Sequence, residues 1–231
     1  TPLVNPEWHS EGTARVFIDW IDSLAKYSDR LICISKSVAD DVRVYMDKHY
    51  PQQMDRLDLK YFHLGADIQG SVPTDGMPSD SGQILETVEN AISFLAVATI
   101  EPRKGFNQLF GAFELLWQQD HDVNLVIVGK AGWNMDVLIE HLRVHPELGK
   151  RLFWLESISD EYLEKIYDAC DCLVAASEAE GFGLPLIEAA QHSLSIIARD
   201  IPVFREVAGD SAHYFSGLTA SELASSLDEW L

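Results

Sequence analysis

From Ala91 onward the chain alternates between continuous apolar runs and amphipathic stretches, and this alternation constrains the fold more than any other feature. The runs are "AISFLAVAT", "NLVIVG", "RLFWL", "DCLVAA" and "LSIIARD". Between them lie helical patterns ending near Trp117 and His145, then "SDEYLEKIYDAC", a helix through Glu188, and a helical tail from Ala220. Strands that lack polar alternation are buried on both faces, which requires helices above and below a parallel sheet. The expected fold class is α/β: a Rossmann-like parallel sheet with helices on both faces. No internal repeat is visible.

Upstream of Ala91 the pattern is different. Thr13 to Tyr27 place Val16, Phe17, Trp20, Ile21 and Leu24 on one helical stripe, and "LICI" (Leu31 to Ile34) reads as a short buried strand. Ser35 then caps a second helix carrying Val38, Val42 and Met46. After "LKYFHLG" comes "ADIQGSVPTDGMPSDSGQ", rich in Gly, Pro, Ser and Asp, which reads as a linker. The expected division is residues 1–66, a linker over 67–90, and a main domain over 91–231. At 231 residues and 47% hydrophobic, the chain has material for one large domain or two smaller ones.

Charge narrows the partners. With 37 acidic residues against 17 basic ones and a net charge of −20, the chain carries no electrostatic footprint for nucleic acid or for an anionic lipid surface. Any anion it binds has to be held locally. No run approaches the roughly 18 apolar residues of a membrane span, and the opening "TPLVNPEWHS" shows neither region of a signal peptide. Cys33, Cys170 and Cys172 are an odd number without metal spacing, so they read as buried thiols of a reducing compartment. The expected location is the cytoplasm, with the inner face of the membrane as its extension. His141 and His145 form an i, i+4 pair without a nearby Glu signature and read as surface residues. "DHD" (Asp120 to Asp122) precedes a strand, which puts it at the amino end of the sheet. Neither metal nor cofactor is expected.

In a parallel sheet ligands bind beyond the carboxyl ends of the strands, so the loops leaving those ends are the candidates for chemistry. In "TIEPRKG" (Thr99 to Gly105), Arg103 and Lys104 enter a helix, and two cations with free backbone amides suit a diphosphate. In "GKAGW" (Gly129 to Trp133), the glycines permit close backbone approach, and Lys130 follows the first of them. In "ASEAEGFGLPLIEAA" (Ala176 to Ala190), Gly181 and Gly183 expose amides and Pro185 suits a first helical turn. Glu180 and Glu188 bracket this anion cradle. A carboxylate facing a diphosphate is repelled, so the two acids are expected to accept hydrogen bonds from flanking sugar hydroxyls. Taken singly, each feature also has a plainer role. Glu188 could complement the helix dipole, Arg103 and Lys104 could be a solvated doublet, Glu180 an exposed acid, and Gly129 and Gly132 the makers of a tight turn.

Taken together, "EGFGLPLIE", "IEPRKG" and "LVIVGKAGW", in this order with "LICISKSVADDV" and "HLGAD" upstream, resemble the retaining glycosyltransferases of the GT-B fold, in the group that includes many polysaccharide mannosyltransferases. The resemblance implies that Arg103 and Lys104 bind a donor diphosphate, Glu180 the transferred sugar and Glu188 the nucleotide ribose. It brings Phe182, Gly183 and Leu184 to the sugar through their amides, presents Ile158 to the base, and adds Gly129, Lys130, Ser177 and Gly181 to the donor site. It implies metal-independent transfer of a hexose from a nucleoside diphosphate sugar, GDP-mannose first, to a glycan or lipid-linked acceptor. UDP-hexoses and deoxythymidine diphosphate rhamnose follow as donors. Peripheral membrane association stays open through the rest of an N-terminal half that reads as truncated. Two alternatives also stay open: a sugar-nucleotide epimerase or a synthase of the same fold, and a noncatalytic nucleotide-sugar scaffold. The chain departs from the family pattern at Ala98, where Gly is usual, and at Ser193 and Ser195, where Gly and Pro are common.

Overall fold

The computed structural model describes residues 2, 5–9, 11–65 and 72–231. The first part of the expected linker, residues 67–71, lies outside the described residues. In chain order the elements are α1 (Glu11–Tyr27), β1 (Arg30–Cys33), α2 (Lys36–His49), β2 (Asp58–Tyr61), α3 (Ser81–Glu89), β3 (Ile92–Val97), α4 (Phe106–Gln118) and β4 (Val123–Val128). There follow α5 (Asp136–Val144), β5 (Leu152–Leu155), α6 (Asp160–Ala169), β6 (Cys172–Ala175), α7 (Leu184–Gln191), β7 (Ser195–Arg199), α8 (Pro202–Ala208), β8 (His213–Phe215) and α9 (Ala220–Trp230). The chain divides into two compact units. One comprises Thr1–Gly65, Ala179–Leu184 and Ile201–Gly209, and the other Ala66–Glu178, Pro185–Asp200 and Asp210–Leu231.

In the first unit β1 and β2 pair in parallel, from Arg30 opposite Asp58 to Cys33 opposite Tyr61. Ser35 caps α2, its Oγ accepting from the Val38 N–H at 3.1 Å. Ile21, Ala25, Cys33, Ala39, Val42, Met46 and Leu57 form the core. The expected stripe of α1 is rotated: Ala14, Ile21 and Ala25 point inward, whereas Val16 and Trp20 are 69% and 53% exposed. Residues 14, 21 and 25 follow the i, i+7, i+11 line of one helical face, and Val16 and Trp20 sit on its flank. The strand read as Leu31 to Ile34 is not buried either. It runs from Arg30 to Cys33, and Cys33 alone within it is fully covered. Among the described residues this sheet has two strands, too few to enclose either face.

In the second unit the sheet order is β5-β4-β3-β6-β7-β8, and every pairing is parallel. All six residues of β4 are buried, the condition of a strand covered on both faces. The core draws Phe106, Leu109, Phe113 and Leu116 from α4, Leu138 and Leu142 from α5, and Leu223 and Leu227 from α9. The stretch read as linker is partly structured. Ser81–Glu89 is α3, and before it the Thr74 N–H donates to Asp160 Oδ2 at 2.8 Å and the Gly76 N–H to Glu161 Oε2 at 2.9 Å. β2, α8 and β8 were not anticipated. They are four, seven and three residues long, below the length at which periodicity is distinctive. Among the described residues no helix is long and apolar enough to cross a membrane.

Candidate functional site

The second unit stitches the first two candidate loops together by backbone hydrogen bonds. The Ala98 N–H donates to the Val128 carbonyl at 3.0 Å, the Ile100 N–H to the Lys130 carbonyl at 2.9 Å, and the Gly132 N–H to the Ile100 carbonyl at 3.1 Å. Gly129 has φ +155°, and a Cβ there would run into the Ala98 carbonyl; one on Gly132 would meet the Ile100 carbonyl. Both glycines are therefore required by the approach of one loop to the other, whatever else they do. The Lys130 side chain is exposed. Trp154 Nε1 donates to the Gly129 carbonyl at 2.8 Å, and Glu156 Oε1 accepts from the Ala131 N–H at 3.0 Å, which ties the loop after β5 to the same cluster. Ile158 sits in that loop, half-buried, between Ser157 at φ +56° and Ser159, the cap of α6.

Arg103 and Lys104 do not enter α4 directly. They occupy a 3-10 turn, Pro102–Lys104, that Gly105 ends in the left-handed region at φ +70° before α4 starts at Phe106. The turn presses against the end of β6: a Cβ on Gly105 would run into the Ala176 carbonyl, and the Glu178 N–H donates to the Arg103 carbonyl at 2.8 Å. Arg103 also pairs with Glu101 at 3.2 Å. Buried Ser177 lies between these two anchoring points. The cationic turn is thus held by its backbone against the start of the third candidate stretch.

Behind this junction is a polar cluster that the sequence reading missed. Arg199, 4% exposed, donates to the Ala176 carbonyl at 3.0 Å, to the Gly217 carbonyl at 2.8 Å and to the Gln108 side chain. Gln108 Nε2 donates in turn to the carbonyls of Gly217 and Thr219. A buried guanidinium with its donors satisfied fixes the carbonyls around it. The signal was a charge closing the apolar strand "SIIAR".

Glu188 lies one turn into α7, and its Oε2 accepts from the Tyr167 hydroxyl at 2.6 Å. Burial first, then the charge of Glu188, pushes the Tyr167 pKa far above the ordinary phenol value, so the hydroxyl stays a donor. The Tyr167 ring stacks on His192 at 5.2 Å between centroids, and His192 Nδ1 is 2.6 Å from Asp168 Oδ1. In the sequence Tyr167 shows only as a residue of the helical pattern "SDEYLEKIYDAC". Nearby Ser193 adopts φ +60°, the left-handed backbone for which glycine is better suited.

The remaining candidates, Glu180, Gly181, Phe182, Gly183 and Leu184, belong to the first unit. Ser35 Oγ donates to the Gly181 carbonyl at 2.7 Å, and buried Phe182 packs its ring 5.6 Å from that of His63. His63 is 2.7 Å from Glu206 Oε1, and Glu206 also accepts from the backbone N–H groups of Lys36 and Ser37 at the start of α2. Burial raises the Glu206 pKa, but these hydrogen bonds outweigh it and hold the carboxyl below its usual range. The cysteines Cys33, Cys170 and Cys172 are buried and unpaired, as expected.

The family model for glycosyl transferases group 1 matches residues 80–231. The chain belongs to that family. The match begins just before α3, so the helix read as linker falls inside the family's region. Among curated relatives, the chain is similar to the serotype-specific mannosyltransferase WbdA of Escherichia coli, at 50% identity over all of this chain and 28% of WbdA. It is also similar to O-antigen chain mannosyltransferase B of Escherichia coli, at 33% identity over 89% of this chain and 52% of that protein. The chain thus spans between about a quarter and about half of these relatives. Among solved structures, Anabaena Alr3699/HepE in complex with UDP and glucose superposes with a TM-score of 0.67 at 19% identity, over 97% of this chain and 58% of that one. Trehalose-6-phosphate synthase OtsA gives 0.70 at 15% identity, over 90% and 53%. The fold is that of the GT-B glycosyltransferases, as the group 1 motifs implied.

Proposed function

We propose that this chain is the donor-binding part of a retaining, metal-independent hexosyltransferase. It moves a hexose, mannose from GDP-mannose first, from a nucleoside diphosphate sugar to a glycan or lipid-linked acceptor during polysaccharide assembly at the cytoplasmic side of the membrane. The observation that carries the reading is the cationic turn of Arg103 and Lys104, pinned by its backbone to Ala176 and Glu178 at the end of β6. Fixed cations at a strand's carboxyl end are what a leaving diphosphate needs, since groups already in place cost no reorganisation as charge develops. The mannosyltransferase names of the relatives support the sugar, and the UDP complex of a structural neighbour supports a nucleoside diphosphate. In this reading Glu188 holds the ribose and Glu180 the transferred sugar. The diphosphate departs as the sugar becomes oxocarbenium-like, and no covalent nucleophile is invoked.

Calorimetry with GDP and with GDP-mannose tests the assignment of the acids. Glu188→Gln is expected to weaken both ligands alike, by roughly tenfold or more, the cost of a hydrogen bond to a charged group. Glu180→Gln is expected to leave free GDP nearly untouched and to weaken GDP-mannose. Equal losses on both ligands from Glu180→Gln would overturn its assignment to the sugar, and no binding of either ligand by the folded chain would overturn the proposal.

Tyr167→Phe keeps the ring stacked on His192 and removes only the hydroxyl that holds Glu188. Its expected effect is a loss of about three- to tenfold in affinity for both ligands, less than the loss of the Glu188 carboxylate itself because the hydroxyl acts only by positioning it. Unchanged GDP affinity would show that Glu188 needs no such support.

A further inference from the structure

We propose that Glu114, His141 and His145 form a three-ligand site for a divalent transition ion of the zinc class, at the end of the second unit's sheet opposite the donor loops. Glu114 lies on α4, His141 on α5, and His145 is the residue that closes α5. The sequence showed only the histidine pair. The carboxylate that completes the set comes from another helix, which sequence spacing cannot reveal.

The distances favour a metal over an ordinary ion pair. Glu114 Oε1 lies 3.5 Å from His141 Nε2 and 3.7 Å from His145 Nε2, and the ligand atoms of all three residues lie within 4.8 Å of one another. A tetrahedral ion with bonds of about 2.0 to 2.2 Å holds its ligand atoms about 3.4 Å apart. A hydrogen-bonded pair would instead close to about 2.7 to 3.2 Å. Of the other histidine–carboxylate pairs among the described residues, His63 on Glu206 and His192 on Asp168 close to 2.7 and 2.6 Å, and the more exposed His121 on Asp228 stands at 3.3 Å. At Glu114 one oxygen stands between two ring nitrogens and closes on neither.

The surroundings orient the ligands. The edge-on Phe110 ring lies 5.1 Å from each histidine ring, and Trp117 lies 5.6 Å from His145. Phe110, Glu114 and Trp117 follow i, i+4, i+7 on one face of α4. The His145 side chain is 11% exposed. His141 is half exposed, which gives a hydrated ion a way in and leaves the fourth position to water. The Glu147 N–H points at His145 Nδ1 from 3.3 Å. Ligation through Nε2 moves the ring proton to Nδ1 and gives up that long contact.

The place of the site in the topology assigns it a structural role. Glu114 and the histidines sit near the ends of α4 and α5 that lead into β4 and β5, whereas the opposite ends of these helices follow the Arg103 and Gly129 loops. A bound ion would join the two helices without touching the donor loops, so the metal-independent reading of the transfer is unaffected.

Zinc titration of the purified, chelator-stripped protein by calorimetry tests the proposal, with Co2+ absorption reporting the coordination number. The expected result is one ion per chain, a four-coordinate Co2+ spectrum, and a loss of affinity of about tenfold or more in both Glu114→Gln and His141→Ala. Glu114→Gln is nearly isosteric and His141 is half exposed, so both variants are expected to fold, which circular dichroism confirms. Absence of saturable zinc binding below millimolar concentration, or binding unchanged in both variants, would overturn the site.

Discussion

Gly129→Ala is expected to destabilise the second unit by about 3 kcal/mol or more, through backbone strain together with a steric clash. Gly129 has φ +155°, and the methyl would be driven into the Ala98 carbonyl. The peptide cannot rotate away, because it is pinned on both sides. The Gly129 N–H donates to the Leu155 carbonyl at 3.0 Å, and its own carbonyl accepts from Trp154 Nε1 at 2.8 Å. In a chain of this size the thermal midpoint is expected to fall by about 6 to 12 °C. Gly149→Ala is the control: φ there is +76°, but no atom lies within 4 Å of the new methyl. Only the left-handed backbone penalty of about 1 kcal/mol remains. Equal melting shifts for the two variants would show that the loop carrying Gly129 yields freely and that its close approach to Ala98 is not a constraint.

Removing the cations is expected to act on binding and leave folding unchanged. Arg103→Ala and Lys104→Ala should each weaken nucleoside diphosphate binding by roughly ten- to a hundredfold, since a hydrogen bond to a charged group contributes about 1.5 to 3 kcal/mol. Neither side chain belongs to the buried core, and the turn is held by the Arg103 carbonyl and by Gly105, which these substitutions keep. Arg103 has to exchange its pairing with Glu101 for the phosphate. Affinity should also fall with added salt, as expected for charges near the surface. Calorimetric affinity that stays unchanged in a variant with an unchanged melt would remove that residue from the site.

How much of the site could be read in advance depended on whether the signal was local. Gly129 and the doublet Arg103 and Lys104 were visible because tight turns and cation pairs are written in adjacent residues; the left-handed turn at Gly105 that ends the 3-10 segment was not. Tyr167 and Arg199 were not, because their partners, Glu188 at 21 residues and Ala176 at 23, are distant in the sequence. Glu114 was missed as a neighbour of the histidines for the same reason: it stands on another helix.

By itself the sequence determined the alternation of the second unit from β3 to β7, the parallel sheet and the three loops at its carboxyl edge, since apolar runs buried on both faces admit few other arrangements. It also carried the group 1 motifs. The tertiary structure alone decided which face of α1 is buried, that β1 lies largely exposed, and that Ser81–Glu89 is a helix inside the family's region. It also decided that the acid-flanked stretch divides between the units, with Ala179–Leu184 in one and Pro185 onward in the other. The physical reason is range. Periodicity and turn chemistry act over a few residues, whereas burial and side-chain partnership depend on which distant segment packs alongside, and that is fixed only once the whole chain has folded.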